Sequence, residues 1–162
     1  MLKVTLDTNV IIDDYLVTQF RQLEKQGLID IAVTTRVVAD KDQDKDKARK
    51  VEHLKEFENY PKVGTPARWD FSRWDSGDFW AGEEDIHLSQ QIEKLVFSEI
   101  SGKRSHNELA DVDHLLGHYK ARRDIFVTND NDILKKREEF KAKLRIVVEN
   151  PQEFLNRFNV QI

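Results

Sequence analysis

The chain contains no cysteine, which removes disulfides and thiolate metal sites from consideration. It has no apolar run approaching the ~20 residues of a membrane span. Its opening residues, MLKVTLDTN, place a charge and a carboxylate where a signal peptide is apolar. A cytoplasmic protein with no membrane association is the expectation. An excess of positive charge is also missing, since 26 Lys and Arg stand against 30 Asp and Glu for a formal net charge of −4. The overall basic balance that usually advertises nucleic-acid binding is therefore not there. There is no internal repeat and no low-complexity tail.

What remains is enough for one folded domain. A chain of 162 residues can bury a real core but is too short for two comfortable domains. Charged residues make up 35% of it, above the ~25% of an average globular protein, yet the apolar positions are periodic. The order reads strand, helix, helix, strand, long helix, irregular segment, helices, strand, helix, strand, helix. That alternation predicts an α/β fold of three layers, α/β/α, around a central, mainly parallel sheet. Strands are expected at Lys3–Leu6, in IDIAVTT, in IFVT and in LRIVV. A short helix over Asn9–Leu16, entered through a Thr8-Asn9 cap, precedes a helix with apolar Val17, Phe20 and Leu23 that ends at Gly27. Thr34 and Thr35 can cap a long helix from about Arg36 to Glu58, which stops before Pro61. Residues 60–85 break the pattern as an irregular insertion holding all three tryptophans.

Four carboxylates occupy comparable places. Asp7 ends the apolar run of strand one, at the strand tip where open α/β sheets bind ligands. Asp130 ends IFVTND in the same way. Asp40 lies one turn into the helix after strand two, directly behind Val37, Val38 and Ala39. Asp111 lies near the start of the helix in ELADVDHLLGHY, close to a buried stripe expected at Leu109, Val112, Leu115, Leu116 and Tyr119. Sheet edges and adjoining helices that converge four carboxylates provide what a hard divalent cation needs. Asn9, Thr128, Asp132, Asp44 and Glu108 are accessory candidates. Asp44 is one turn after Asp40 on the same face, Thr128 offers a hydroxyl beside Asp130, and Glu108 is either an extra ligand or a simple first-turn acid. Asp113 reads as solvent-facing. His114 and His118 stand at i, i+4 but lack the glutamate of a HExxH zinc motif, so they read as core histidines or as supports for the site.

Basic residues gather in the second half, in KKREEFKAKLR, at Lys103 and Arg104, and at Arg122 and Arg123. Lys103, Arg104, Arg122 and Arg123 can track a phosphate backbone beside an acidic pocket; the plainer reading of each run is a solvated helix face. Trp69, Phe71, Trp74, Phe79 and Trp80 can stack on unpaired bases. The acids among them favour packing onto the domain or a dimer interface instead.

These residues resemble the PIN-domain family. The likeness rests on LDTNVII, on VTTRVVAD, on ADVDHLLGHYKARRDIFVTND and on the closing LRIVVENPQEFL, which together cover everything except residues 60–85. The resemblance implies that Asp7, Asp40, Asp111 and Asp130 form the family's acidic quartet. They would bind Mg²⁺ or Mn²⁺ for endonucleolytic hydrolysis of RNA, leaving a 5′-phosphate. Asp40 departs from the family pattern, in which the second acid is more often Glu. Within the family the chain is similar to VapC-like toxins, although longer. That implies a small antitoxin partner whose tail fills the site, and a homodimer is the expected assembly. Two other readings stand beside this one. A PIN-like module that no longer cleaves would serve as a protein or RNA interaction surface. A phosphatase with an aspartyl nucleophile would also put Asp at the end of strand one, but it needs a second Asp where Asn9 stands.

Overall fold

The computed structural model describes residues 1–37, 57–67, 77–97 and 105–160. Among the described residues there are five strands, β1 (Leu2–Leu6), β2 (Ile29–Thr34), β3 (Lys62–Val63), β4 (Ile125–Val127) and β5 (Val147–Glu149). They form one sheet in the order β3-β2-β1-β4-β5, and every pair is parallel. The described helices are α1 (Thr8–Ile11), α2 (Asp14–Lys25), α3 (Glu83–Val96), α4 (His106–Lys120), α5 (Asn131–Lys135), α6 (Arg137–Leu144) and α7 (Pro151–Asn156). No helix among the described residues is long and apolar enough to cross a membrane.

The period of two along each strand separates two cores. Val4 and Leu6 of β1, Ile29, Ile31 and Val33 of β2, and Ile125 and Val127 of β4 face α1, α2 and α7, where Phe20 stacks on Phe154 with ring centroids 5.3 Å apart. Phe126 and Val148 point the other way, into a core completed by Ile92 and Leu95 of α3, Leu115 and Leu116 of α4, and Phe140 of α6. Helices on both faces of a parallel sheet make the three-layer α/β/α architecture. The sheet advances outward from β1 through β2 to β3, then returns across β1 to β4 and β5. Such a reversal creates a crevice between β1 and β4 at the carboxyl ends of the strands, the topological switch point where this architecture binds ligands.

Local chemistry sets the boundaries, and several differ from expectation. The single helix expected over Asn9–Leu16 is two, because Asp13 accepts hydrogen bonds from the amides of Tyr15 and Leu16 and starts α2 afresh. Gly27 follows α2 at φ 72°, the left-handed conformation that glycine adopts without strain. The described parts of the segment 60–85 hold regular structure. They contribute edge strand β3, a parallel bridge between Pro66 and Phe79, and the first turn of α3, where Glu83, Glu84 and Asp85 favour the helix N-terminus. Leu144 belongs to α6 rather than to the last strand, which begins at Val147. Of the helix expected over 36–58, the described ends at 36–37 and 57–58 are helical and the middle lies outside the described residues.

Candidate active site at the carboxyl edge of the sheet

β1 hands Asp7 to the crevice at the switch point. The Asp7 backbone amide still donates to the Val127 carbonyl of β4 at 3.0 Å, so the strand ladder fixes its main chain. Asp7 as a whole is 4% exposed. Asp7 Oδ1 accepts from the Thr8 amide at 2.7 Å, which makes Asp7 itself, rather than Thr8-Asn9, the cap of α1. Oδ2 accepts from Asn9 Nδ2 at 2.8 Å and from the Thr128 hydroxyl at 2.6 Å. The Thr128 oxygen in turn accepts from Asn9 Nδ2 at 3.2 Å and from the Asp130 amide at 2.9 Å, so it uses its one proton and both lone pairs. Asn9 Oδ1 accepts from the Asn129 amide at 2.9 Å. The tips of β1 and β4 are thereby knitted into one oriented group, in which neutral donors hold a buried carboxylate in place.

Asp130 follows immediately. Its Oδ1 caps α5, accepting from the amides of Asp132 at 2.7 Å and Ile133 at 3.0 Å. Asp132 itself is exposed and pairs with Lys135 at 3.2 Å, away from the Asp7 group. On the other side stands α4. His114 is 2% exposed, its Nε2 lies 3.9 Å from Asp7 Oδ1, and its Nδ1 bonds the Thr34 hydroxyl at the end of β2. Asp111 is one turn earlier on the same face of α4 as His114 and half-buried. The structure thus brings Asp7, Asn9, Thr128 and the Asp130 backbone into one network, with His114 against it. Asp111 is carried on the adjoining helix.

Glu108 closes a capping box with Ser105, accepting from the Ser105 amide and hydroxyl at 2.8 Å each, the simple first-turn role. Arg122 and Arg123 lie past the carboxyl end of α4, at the amino edge of the sheet and so at the opposite end from Asp7. Arg122 is exposed there beside an open groove that it shares with Arg145 and the acids Glu83 and Glu84. Arg123 directs its guanidinium to the carbonyls of Val4, at 3.1 Å, and of Asp30, a structural use that leaves little for a phosphate. Asp40, Asp44, Lys103 and Arg104 lie outside the described residues, as do Trp69, Phe71 and Trp74. Trp80 is 81% exposed, whereas Phe79 packs on the second core under the Lys120 ammonium, 3.8 Å from the ring centroid.

Two expectations about α4 are corrected. Asp113 does not face solvent; it is fully buried and pairs with Arg36 Nη2 at 2.8 Å, both side chains being 1% exposed. Its spacing carried the signal, since Asp113 is three residues before Leu116 and so shares that residue's buried face. Tyr119, placed in the buried stripe, is 43% exposed instead. Thr35 stands directly before the helical residues 36–37, and its described side-chain bonds reach the insertion, donating to Asp78 at 2.5 Å and accepting from the Thr65 amide at 3.0 Å. His118 is a core histidine, bonded through Nδ1 to Thr5 Oγ1 at 2.9 Å. Burial, reinforced by the Arg123 charge, pushes its pKa down to about 3, so the ring is neutral near pH 7.

The oxygen donors at this edge, from carboxylates, a hydroxyl and an amide, suit a hard divalent cation in kind. Among the described residues no three His, Asp or Glu side chains are grouped closely enough to hold an ion. Of the four expected carboxylates, the described ones are Asp7 and Asp130, joined through Thr128, and Asp111 on α4. In comparisons with known proteins, no family model and no curated protein matches the chain.

Proposed function

We propose that this protein is a metal-dependent endoribonuclease of the PIN type. It would hydrolyse RNA phosphodiester bonds at the carboxyl edge of the sheet with Asp7, Asp40, Asp111 and Asp130. The observation that carries the reading is the setting of Asp7, a buried carboxylate at the switch point that accepts hydrogen bonds from the Thr8 amide, the Asn9 side chain and the Thr128 hydroxyl. A buried carboxylate whose orientation is fixed by hydrogen bonds at a strand tip is placed to ligate a hard cation. Mg²⁺ or Mn²⁺ bound there would acidify an attacking water and offset charge on the scissile phosphate. Thr128 and Asn9 orient Asp7, and the α5 cap orients Asp130. The same reading makes RNA the substrate and a small antitoxin protein the expected inhibitor of a toxin-like nuclease, with a homodimer as the assembly.

The test is incubation of the purified protein with structured and single-stranded RNAs in Mg²⁺, in Mn²⁺ and in EDTA, beside Asp7→Asn and Asp111→Asn. Cleavage should require the metal and fall by about two orders of magnitude or more in both variants. Undiminished cleavage by both would refute the assignment. Mn²⁺ binding without turnover would favour the interaction module over the nuclease.

A further inference from the structure

Arg36 and Asp113 are among the most deeply buried polar residues described, and the chemistry at Asp7 does not use them directly. A buried ion pair adds little net stability over packed apolar residues of similar volume, and its best-attested use is to select one packing register. The register at stake is that of α4. Arg36 lies two residues beyond β2, and its Nη2 bonds both Asp113, at 2.8 Å, and the Pro66 carbonyl, at 2.9 Å. The next residue of α4, His114, bonds Thr34 at the tip of β2. One turn on, Gly117 is backed so closely against the segment after β3 that a Cβ there would lie 2.9 Å from the Gly64 carbonyl oxygen. Three consecutive contacts thus pin one face of α4 to the exit of β2 and to the segment after β3. Turning the helix by one residue, about 100°, would break all three and swing Asp111 away from Asp7.

We propose that Arg36 and Asp113 are positioning residues for the reaction at Asp7. Their pair locks α4 in the rotation that keeps Asp111 and His114 on the Asp7 side. The proposal rests on the nuclease reading for its kinetic consequences and on geometry alone for its structural ones.

The decisive variant is Arg36→Met/Asp113→Leu, which replaces the pair by apolar residues, compared with Asp113→Asn and with wild type. The single variant should lose thermal stability, because it leaves a buried guanidinium facing a neutral amide. The double variant should recover most of that loss. It should nonetheless show kcat lowered about tenfold or more with KM changed less than about twofold, Mn²⁺ binding weakened about tenfold by water-proton relaxation, and faster amide hydrogen exchange over residues 110–116. A double variant with recovered stability, wild-type kcat, wild-type Mn²⁺ affinity and unchanged exchange would overturn the proposal. If wild type neither cleaves RNA nor binds Mn²⁺, the nuclease reading falls, and exchange over 110–116 alone decides the positioning role. If the double variant does not fold, Asp113→Glu, which keeps the charge but moves it by one methylene, takes its place in every comparison.

Discussion

Substituting Gly117 by alanine sets two known effects against each other inside α4. Alanine is the better helix former by about 1 kcal/mol in a helix interior, so an open site would be stabilised. This site is not open. The added Cβ would lie 2.9 Å from the Gly64 carbonyl oxygen, 3.2 Å from Thr65 Cγ2 and 3.5 Å from Thr34 Cγ2. The nearest atom belongs to backbone, and that backbone has no room to retreat, since a Cβ on Gly64 would itself meet the Gly77 carbonyl oxygen at 2.6 Å. Nor is Thr65 free to turn, because its hydroxyl bonds Asp78 at 3.0 Å and Thr35 at 2.9 Å. Overpacking of this kind costs roughly 1–3 kcal/mol. The balance is a net loss of about 1 kcal/mol, or a fall in Tm of roughly 2–4 °C for a chain of this size. Urea unfolding measures it directly, with a lower midpoint at unchanged slope expected. A midpoint at or above that of wild type would refute the argument that α4 is held at close approach to the segment after β3.

Two more outcomes follow from backbone and burial. Arg122 and Arg145 adopt positive φ, 50° and 57°, at the ends of α4 and α6, so Arg122→Gly and Arg145→Gly should each stabilise by about 0.5–1 kcal/mol in the same unfolding assay. His118 titrates with a folded pKa of about 3 against 6.5 for the unfolded chain. Below 6.5 the unfolded state therefore binds the extra proton, and stability drops as pH falls, by up to about 1.4 kcal/mol per unit until the folded pKa is reached. Unfolding measured from pH 7 to pH 4 should show that slope in wild type and a flatter one in His118→Gln; equal slopes would contradict a neutral buried ring.

Much of the fold was legible because burial writes itself into spacing. β1, β2 and β4 are read from apolar runs, and Asp7 and Asp130 stand out because each ends such a run where a polar turn must begin. β3 was not legible, since Lys62 and Val63 are too few to show a period of two and become a strand only by pairing with Val33 and Thr34. Asp113 was misread because an acid in a helix is usually solvated, and its partner Arg36 is remote in sequence. The network around Thr128 was half legible. Its hydroxyl beside Asp130 could be read from sequence, but its bond to Asp7 depends on β1 and β4 becoming neighbours. Of the two readings that the sequence leaves open for Glu108, the structure shows the first-turn acid, which caps α4 together with Ser105.

The strand order also has a kinetic consequence. β1 lies at the middle of the sheet, and Thr128, which donates to Asp7, is 121 residues further along the chain. Contacts of such long sequence separation slow folding, because loop-closure entropy is lost before they form. During synthesis β1 can pair with β2 early, yet its other edge stays open until β4 emerges, and an unpaired edge is a template for association with other chains. Orientation of Asp7 is thus among the late events of folding, and any fragment ending before β4 would carry that carboxylate without the hydroxyl that aims it.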